Sequence, residues 1–152
     1  MKNIANNFEQ LYNLSSNKKI VFTNGCFDIL HVGHIRLLND AKKLGDILVV
    51  GINSDFSIKK LKGKDRPINI ESDRKIILES LKAVDFVFIF EEDTPLNLIK
   101  KIKPNILVKG GDYSESNIVG SDFVKNNGGE VKTLSFHYGY SSSKYINQIK
   151  KA

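Results

Sequence analysis

Five short apolar runs, each parted from the next by a stretch of helical periodicity, constrain this chain more than any other feature. They lie at 19–22, 46–52, 86–90, 106–108 and 131–134. Runs so uniformly apolar suit strands covered on both faces, the habit of parallel sheets. Strands alternating with helices need right-handed crossovers, so the helices cover both sides of one sheet. An order of 3-2-1-4-5 sets the first and fourth strands side by side at a switch point, where open α/β sheets bind ligands. The expectation is an α/β fold with a doubly wound, five-stranded parallel sheet in a single domain.

The segments between the strands carry their own signals. Ile4, Phe8, Leu11 and Tyr12 recur at helical spacing over 3–13, and Ser15-Ser16-Asn17 reads as a linker. Residues 1–17 are thus expected to be an N-terminal helix and linker, and 18–152 the main domain. His34, Leu37, Leu38 and Ala41 share one helical face, with Gly45 as the stop. Asn69 is suited to cap a helix with Glu71 in its first turn, running to about Lys82, burying Ile70, Ile77 and Leu81 and leaving Arg74 on the other side. Thr94 as cap and Pro95 at the first helical position start the next helix, which Lys103-Pro104 ends. Phe123 begins a short helical piece that stops at Gly128-Gly129, and Gly139 to Ser143 open a last helix that buries Tyr145, Ile146 and Ile149.

The chemistry concentrates where the first strand gives way to a helix, over Thr23-Asn24-Gly25-Cys26-Phe27-Asp28-Ile29-Leu30-His31-Val32-Gly33-His34. Strand end, glycine-bearing turn and helix N-terminus bring backbone N–H groups and a favourable dipole to one place, which suits a phosphate. Thr23, Asn24, Gly25, Cys26, Phe27, Asp28 and Gly33 are the candidate nucleotide-binding residues of this turn. Gly33 has no Cβ, so a ligand or a neighbouring backbone can come close. His31 and His34 can point at one anion, and a triphosphate beside them would raise their pKa values. Asp28 could orient a histidine or face a metal. Two histidines three apart also fit zinc, but Cys26 is the only cysteine and no further ligand cluster is visible, so no metal site is expected.

Other candidates lie at the carboxyl ends of later strands. Asn53 and Asp55, with Asp28 and Arg66, are candidate substrate contacts. The basic stretch from Lys59 to Arg66 reads either as a solvated loop or as a movable flap that lays Lys60, Lys62 and Arg66 over phosphates. Lys109, Gly110, Gly111 and Asp112 leave the fourth strand beside the histidine turn, and Ser141, Ser142 and Ser143 offer a second anion site at a helix start.

Composition excludes several classes. One cysteine allows no internal disulfide and suits a reducing cytosol. No signal peptide is visible and no apolar run approaches the ~20 residues of a membrane span, so a cytoplasmic protein without membrane partners is expected. The net charge of +6 suits solubility or the attraction of polyanions. The basic residues form no arm or single basic helix, so no nucleic-acid partner is expected.

His31-Val32-Gly33-His34 resembles the HxGH signature of the nucleotidyltransferase superfamily, and 23–34 as a whole resembles its cytidylyltransferase-like branch. Segments 59–67, 90–95 and 107–113 are similar to the adenylyltransferase domain of bacterial ADP-heptose synthase, usually fused behind a sugar kinase. The likeness runs from about Ile20 to Ile149. It implies a Rossmann-like fold and transfer of AMP from ATP to D-glycero-β-D-manno-heptose 1-phosphate, giving ADP-heptose and pyrophosphate. ADP-heptose is a precursor of the lipopolysaccharide core. His31, His34 and a flap lysine, Lys60 or Lys62, would then be catalytic. Arg74 would face the nucleotide, Asp112 would contact its ribose or base, and the three serines, resembling the family's GxSTT segment, would hold its outer phosphates. Mg²⁺ would be bound mainly through the nucleotide. Related enzymes are often dimers, so a homodimer is expected, and a separate heptose kinase would supply the acceptor. Cytidylyltransferases place an arginine just upstream of the serines; here Phe136, His137 and Tyr138 stand there instead. Two alternatives remain: glycerol-3-phosphate cytidylyltransferase or a sister enzyme, and a non-catalytic nucleotide- or nucleic-acid-binding module.

Overall fold

A computed structural model of the chain describes residues 8–135 and 139–152. Ile4, Phe136, His137 and Tyr138, which entered the expectations above, lie outside the described residues. The described residues form a five-stranded sheet in the order β3-β2-β1-β4-β5, and every pairing is parallel. The strands are β1 (Ile20–Gly25), β2 (Ile47–Asn53), β3 (Phe86–Phe90), β4 (Ile106–Gly110) and β5 (Glu130–Leu134). The helices are α1 (Phe8–Leu14), α2 (Val32–Lys42), α3 (Asp55–Lys62), α4 (Glu71–Glu79), α5 (Leu96–Ile102), α6 (Ser121–Asn126) and α7 (Ser142–Lys151), with a 3₁₀ turn at Glu115–Asn117. The expected strand order is the observed one.

Strand alternation divides the core in two. Phe22, Val49, Phe88 and Leu107 pack one face of the sheet with Leu11, Leu98, Ile99, Ile102 and Val124. Val21, Leu48, Val50, Val87 and Val108 pack the other with Leu38, Ala41 and Leu78. Every residue of β2 is buried, because it has a strand on each side and helices above and below. Helix α1 joins the first layer. Leu11 is fully buried, the Phe8 ring stacks on Phe88 at 4.4 Å between centroids, and Lys101 lies over Phe8.

Four local expectations are corrected. The basic stretch is not a loop throughout, since α3 carries Lys59, Lys60 and Lys62. Ser54 caps that helix by accepting from the Ser57 amide at 3.1 Å, Ile58 anchors it, and Gly63 at φ +96° ends it. In α4 the inward stripe is Arg74 and Leu78, with Leu81 packed partly against the core, while Ile70 and Ile77 are exposed. Apolarity favoured the isoleucines, but Ile70 stands at the cap and Arg74 turns inward, where it finds acceptors in Asn69 O, Cys26 O and Asp55. Ile70 and Pro95, not Asn69 and Thr94, occupy the cap positions of α4 and α5. In α7 only Ile146 is buried; Tyr145 is half-buried and Ile149 is exposed.

Candidate active site

Strand β1 leads to the site through a left-handed residue, and that residue is not a glycine. Phe27 has φ +48°, which costs a bulky side chain roughly 1–2 kcal/mol. Its buried ring packs beside His34, 5.0 Å between centroids. A Cβ on Gly25 would come within 3.0 Å of the same ring, so Gly25 leaves the space that the turned phenylalanine fills.

His31 caps α2. Its Nδ1 and its carbonyl both lie within reach of the His34 amide, at 3.4 and 3.0 Å. An Nδ1 that accepts leaves the ring proton on Nε2. The two imidazoles stack at 3.8 Å, 18° from parallel. Burial lowers the pKa of His31. His34 is lowered to about 4 by burial first, then by the neighbouring charges of His31 and Lys62. Its Nδ1 is buried without a partner among the described residues. Burial thus favours the neutral form of His34, and an anion nearby would raise its pKa.

Helix α7 meets this turn head-on. Ser142 donates its hydroxyl to the Ile29 carbonyl at 2.6 Å, and Ser141 caps the helix through the Lys144 amide. A Cβ on Gly33 would fall 3.0 Å from both the Tyr140 Cβ and His31 Nδ1, so glycine there admits the approaching α7 segment. One cleft of about 230 Å³ results. Its walls are His31, His34, Lys62 and Arg66 on one side and Tyr140 with Ser141, Ser142 and Ser143 on the other, over a floor of Cys26, Phe27 and Asp28.

Asp28 and Arg66 connect the two walls. Arg66 Nε donates to Asp28 Oδ2 at 2.7 Å, and its Nη1 lies 3.4 Å from Ser143 Oγ. Asp28 also accepts from the amides of Ile68 and Asn69, each at 2.9 Å. Burial pushes the Asp28 carboxyl up, but the two amides and the Arg66 guanidinium outweigh it and hold the group below the usual carboxylate range. The expectation that Asp28 orients a histidine or faces a metal is therefore corrected: its oxygens are taken by donors of the 66–69 segment. That segment is bonded to Asp28 at three of its residues, Arg66, Ile68 and Asn69.

A second cleft of about 200 Å³ opens at the ends of β1 and β4, lined by Asn24, Lys109, Tyr113 and Asn117 with Pro95, Ile118 and Val119. Lys109 stands 5.7 Å from the Tyr113 ring centre, and burial lowers its pKa against a raising influence of Cys26. Gly111, at φ +115°, turns the chain out of β4, and Asp112 is exposed beside the cleft.

Several expected contacts lie elsewhere. Lys60 points away, paired with Asp93 at 2.6 Å on the surface. Asn53 is buried and bonds Ser57 Oγ, while Asp55 accepts from Arg74. Arg74 is 1% exposed and donates from Nε to Asn69 O, from Nη1 to Cys26 O and from Nη2 to Asp55, so it acts as a strut beneath the site. Thr23 is fully buried and Gly110 packs on Leu37. Sequence reasoning missed Tyr140 and Asn69. Tyr140 stacks 6.0 Å from His31, and Asn69 donates its side-chain amide to Asp28 O. The Gly-Tyr-Ser run before α7 was a usable signal for the first; the second was marked only as a helix cap, because its bond to Asp28 depends on a residue 41 positions away. Among the described residues no group of three or more His, Cys, Asp or Glu is placed to hold a metal ion, and no helix is long and apolar enough to cross a membrane.

The chain is similar to known proteins over most of its length. It is 60% identical over 135 residues to the bifunctional protein HldE of Campylobacter fetus, and 57% identical over 134 residues to that of Helicobacter pylori. These alignments cover 89% and 88% of the chain but 29% and 28% of the relatives, so it spans less than a third of their length. A lipopolysaccharide core biosynthesis protein from Thermoplasma volcanium superposes with a TM-score of 0.65 at 33% identity, covering 79% of this chain and 97% of that one. Pantoate-beta-alanine ligase from Francisella tularensis, at 20% identity and a TM-score of 0.64, shares the fold over 94% of this chain and 72% of its own. Residues 22–148 match the cytidylyltransferase-like family model, and with the HxGH turn at the head of α2 they make the chain a member of the cytidylyltransferase-like branch of the nucleotidyltransferases.

Proposed function

We propose that the chain transfers AMP from ATP to a sugar 1-phosphate, D-glycero-β-D-manno-heptose 1-phosphate, releasing ADP-heptose and pyrophosphate. The observation that carries this is the convergence of His31, His34, Lys62, Arg66 and the serine tip of α7 on one cleft. Such a set of donors suits a polyphosphate and little else. The identity to HldE proteins and the likeness to a lipopolysaccharide core biosynthesis protein support the heptose as acceptor.

In this reading an oxygen of the acceptor phosphate attacks the α-phosphorus in line. That P–O bond forms as the bond to the β-phosphate oxygen breaks, and pyrophosphate departs with the electron pair. No protein nucleophile takes part, so Cys26 is not one. Positioning and charge stabilisation supply the rate. His34, protonated as the triphosphate enters, and His31 through Nε2–H stabilise the charge that builds on the α-phosphate and the leaving group. Ser141, Ser142 and Ser143, with Lys62 and Arg66, hold the departing phosphates. We assign the ribose and base of the nucleotide to the second cleft, where the Lys109–Asp112 loop leaves β4 beside the histidine turn. The only carboxylate on the first cleft among the described residues, Asp28, is already bound by Arg66 and two amides. The residues therefore build no cage for Mg²⁺, and the ion is part of the MgATP substrate. The reading also includes a homodimer and a heptose kinase activity that supplies the acceptor.

The test is a panel of ATP, CTP and GTP against heptose 1-phosphate and glycerol 3-phosphate, scored by pyrophosphate. The proposal expects release with ATP and the heptose alone. Release with CTP and glycerol 3-phosphate would move the assignment to a sister enzyme. Orthophosphate without an acceptor, or no turnover with steeply salt-dependent binding to DNA, would overturn it.

A further inference from the structure

Asp28 lies on the cleft floor yet offers nothing to a ligand. It is 2% exposed, and its oxygens accept from Arg66 Nε, Ile68 N and Asn69 N. Its backbone carbonyl is taken as well, by the Asn69 side chain at 2.6 Å. Arg66 is the reverse case. It is 8% exposed, one edge of its guanidinium is gripped at Nε, and the other edge is barely used. Nη1 reaches Ser143 Oγ only at 3.4 Å, and Nη2 is buried with no partner among the described residues. An unpaired buried donor on a cationic group is costly, and a ligand oxygen beside it would satisfy it. His34 Nδ1, on the same cleft, is unpaired too.

We propose that Asp28 is a positioning residue that acts through Arg66. Its carboxylate fixes the Nε edge and turns the free Nη edge toward the polyphosphate, between the histidine turn and the tip of α7. The two amides on the same carboxylate hold the 66–69 segment at that height. The guanidinium then takes a phosphate oxygen with Nη1 and Nη2 together, a geometry that a lysine cannot copy. This inference rests on the reading of the cleft as a polyphosphate site.

The experiment is calorimetric binding of inorganic tripolyphosphate, which needs no knowledge of the acceptor. Wild type, D28N, R66A, R66K and the D28N/R66A double variant are compared, with the melting temperature of each. The proposal expects D28N and R66A each to weaken binding by about 10-fold or more, and the double variant to bind no worse than R66A, because the residues act as one unit. R66K keeps the charge and can still satisfy Asp28, so it should melt like wild type yet lose at least about 10-fold in affinity; it decides the matter if D28N fails to fold. Wild-type affinity in D28N or R66K, or additive losses in the double variant, would overturn the proposal. A wild type that binds no tripolyphosphate would instead remove the polyphosphate reading of the cleft.

Discussion

Two buried arginines sit a few residues apart in the chain and do opposite things. Arg74 spends three nitrogens on Asn69 O, Cys26 O and Asp55, and so ties the ends of β1 and β2 to the start of α4. Arg66 spends one nitrogen well, reaches Ser143 weakly with a second and keeps its third buried without a partner among the described residues. A satisfied buried cation is part of the frame, whereas an unsatisfied one waits for an anion. The same contrast separates Lys60, paired with Asp93 on the surface, from Lys62 on the cleft wall. Residue type did not distinguish the members of either pair; the inventory of partners does.

The contrast can be broken most forcefully at the histidine turn, where donors are held ready for charge. His34→Ala should lower kcat by ~10²–10³ with the melting temperature little changed, as expected for one preorganised transition-state donor. A loss within a few-fold would make the imidazole structural. At the strut the pattern should invert. Arg74→Met leaves two carbonyls and Asp55 without their donor and should cost about 2–4 kcal/mol in urea unfolding. Equal stability would show that the guanidinium is not the tie it appears in the geometry.

Acid should expose the neutral state of His34. The unfolded chain's histidine takes its proton near 6.5, while the folded group resists it to about 4. More protons bind to the unfolded chain between those values, so the group's contribution is whole above pH 6.5 and is lost as pH falls toward 4. The full effect is roughly 3 kcal/mol. The lowered His31 acts in the same direction. His34→Ala should flatten the fall in denaturant midpoint between those pH values. ATP binding near pH 6 should take up a proton in wild type and not in His34→Ala, read from calorimetry in buffers of different ionisation enthalpy.

The smallest effect belongs to Lys60. Its pair with Asp93 is exposed on both sides, 57% and 65%, and such pairs contribute ~0–1 kcal/mol. Lys60→Ala should leave kcat within about twofold, while Lys62→Ala raises the KM for ATP. Similar losses in both would restore the idea of a flap that brings both lysines to the phosphates.

Much of this was legible in the sequence because it rests on local pattern. The apolar runs of β2 and β3 announce buried strands, and alternation with helices announces a parallel sheet. The histidine turn and the serine tip announce themselves because helix starts hold anions. What stayed hidden depends on partners distant in the chain. Arg74 faces inward only because Cys26 O and Asn69 O are there to receive it. The left-handed residue of the turn is Phe27, a residue type that carries no signal for that conformation. Asp28 looked like a ligand contact until its acceptors were found occupied by a segment about 40 residues on.

The central claim is that the histidine turn and the head of α7 grip a single triphosphate. A crystal structure with a non-hydrolysable ATP analogue tests it directly. The account predicts the β- and γ-phosphates within hydrogen-bond distance of Arg66 Nη and the Ser141–Ser143 segment, with the α-phosphate at His34. A triphosphate seated elsewhere, with Arg66 Nη2 and His34 Nδ1 still unpaired, would contradict it.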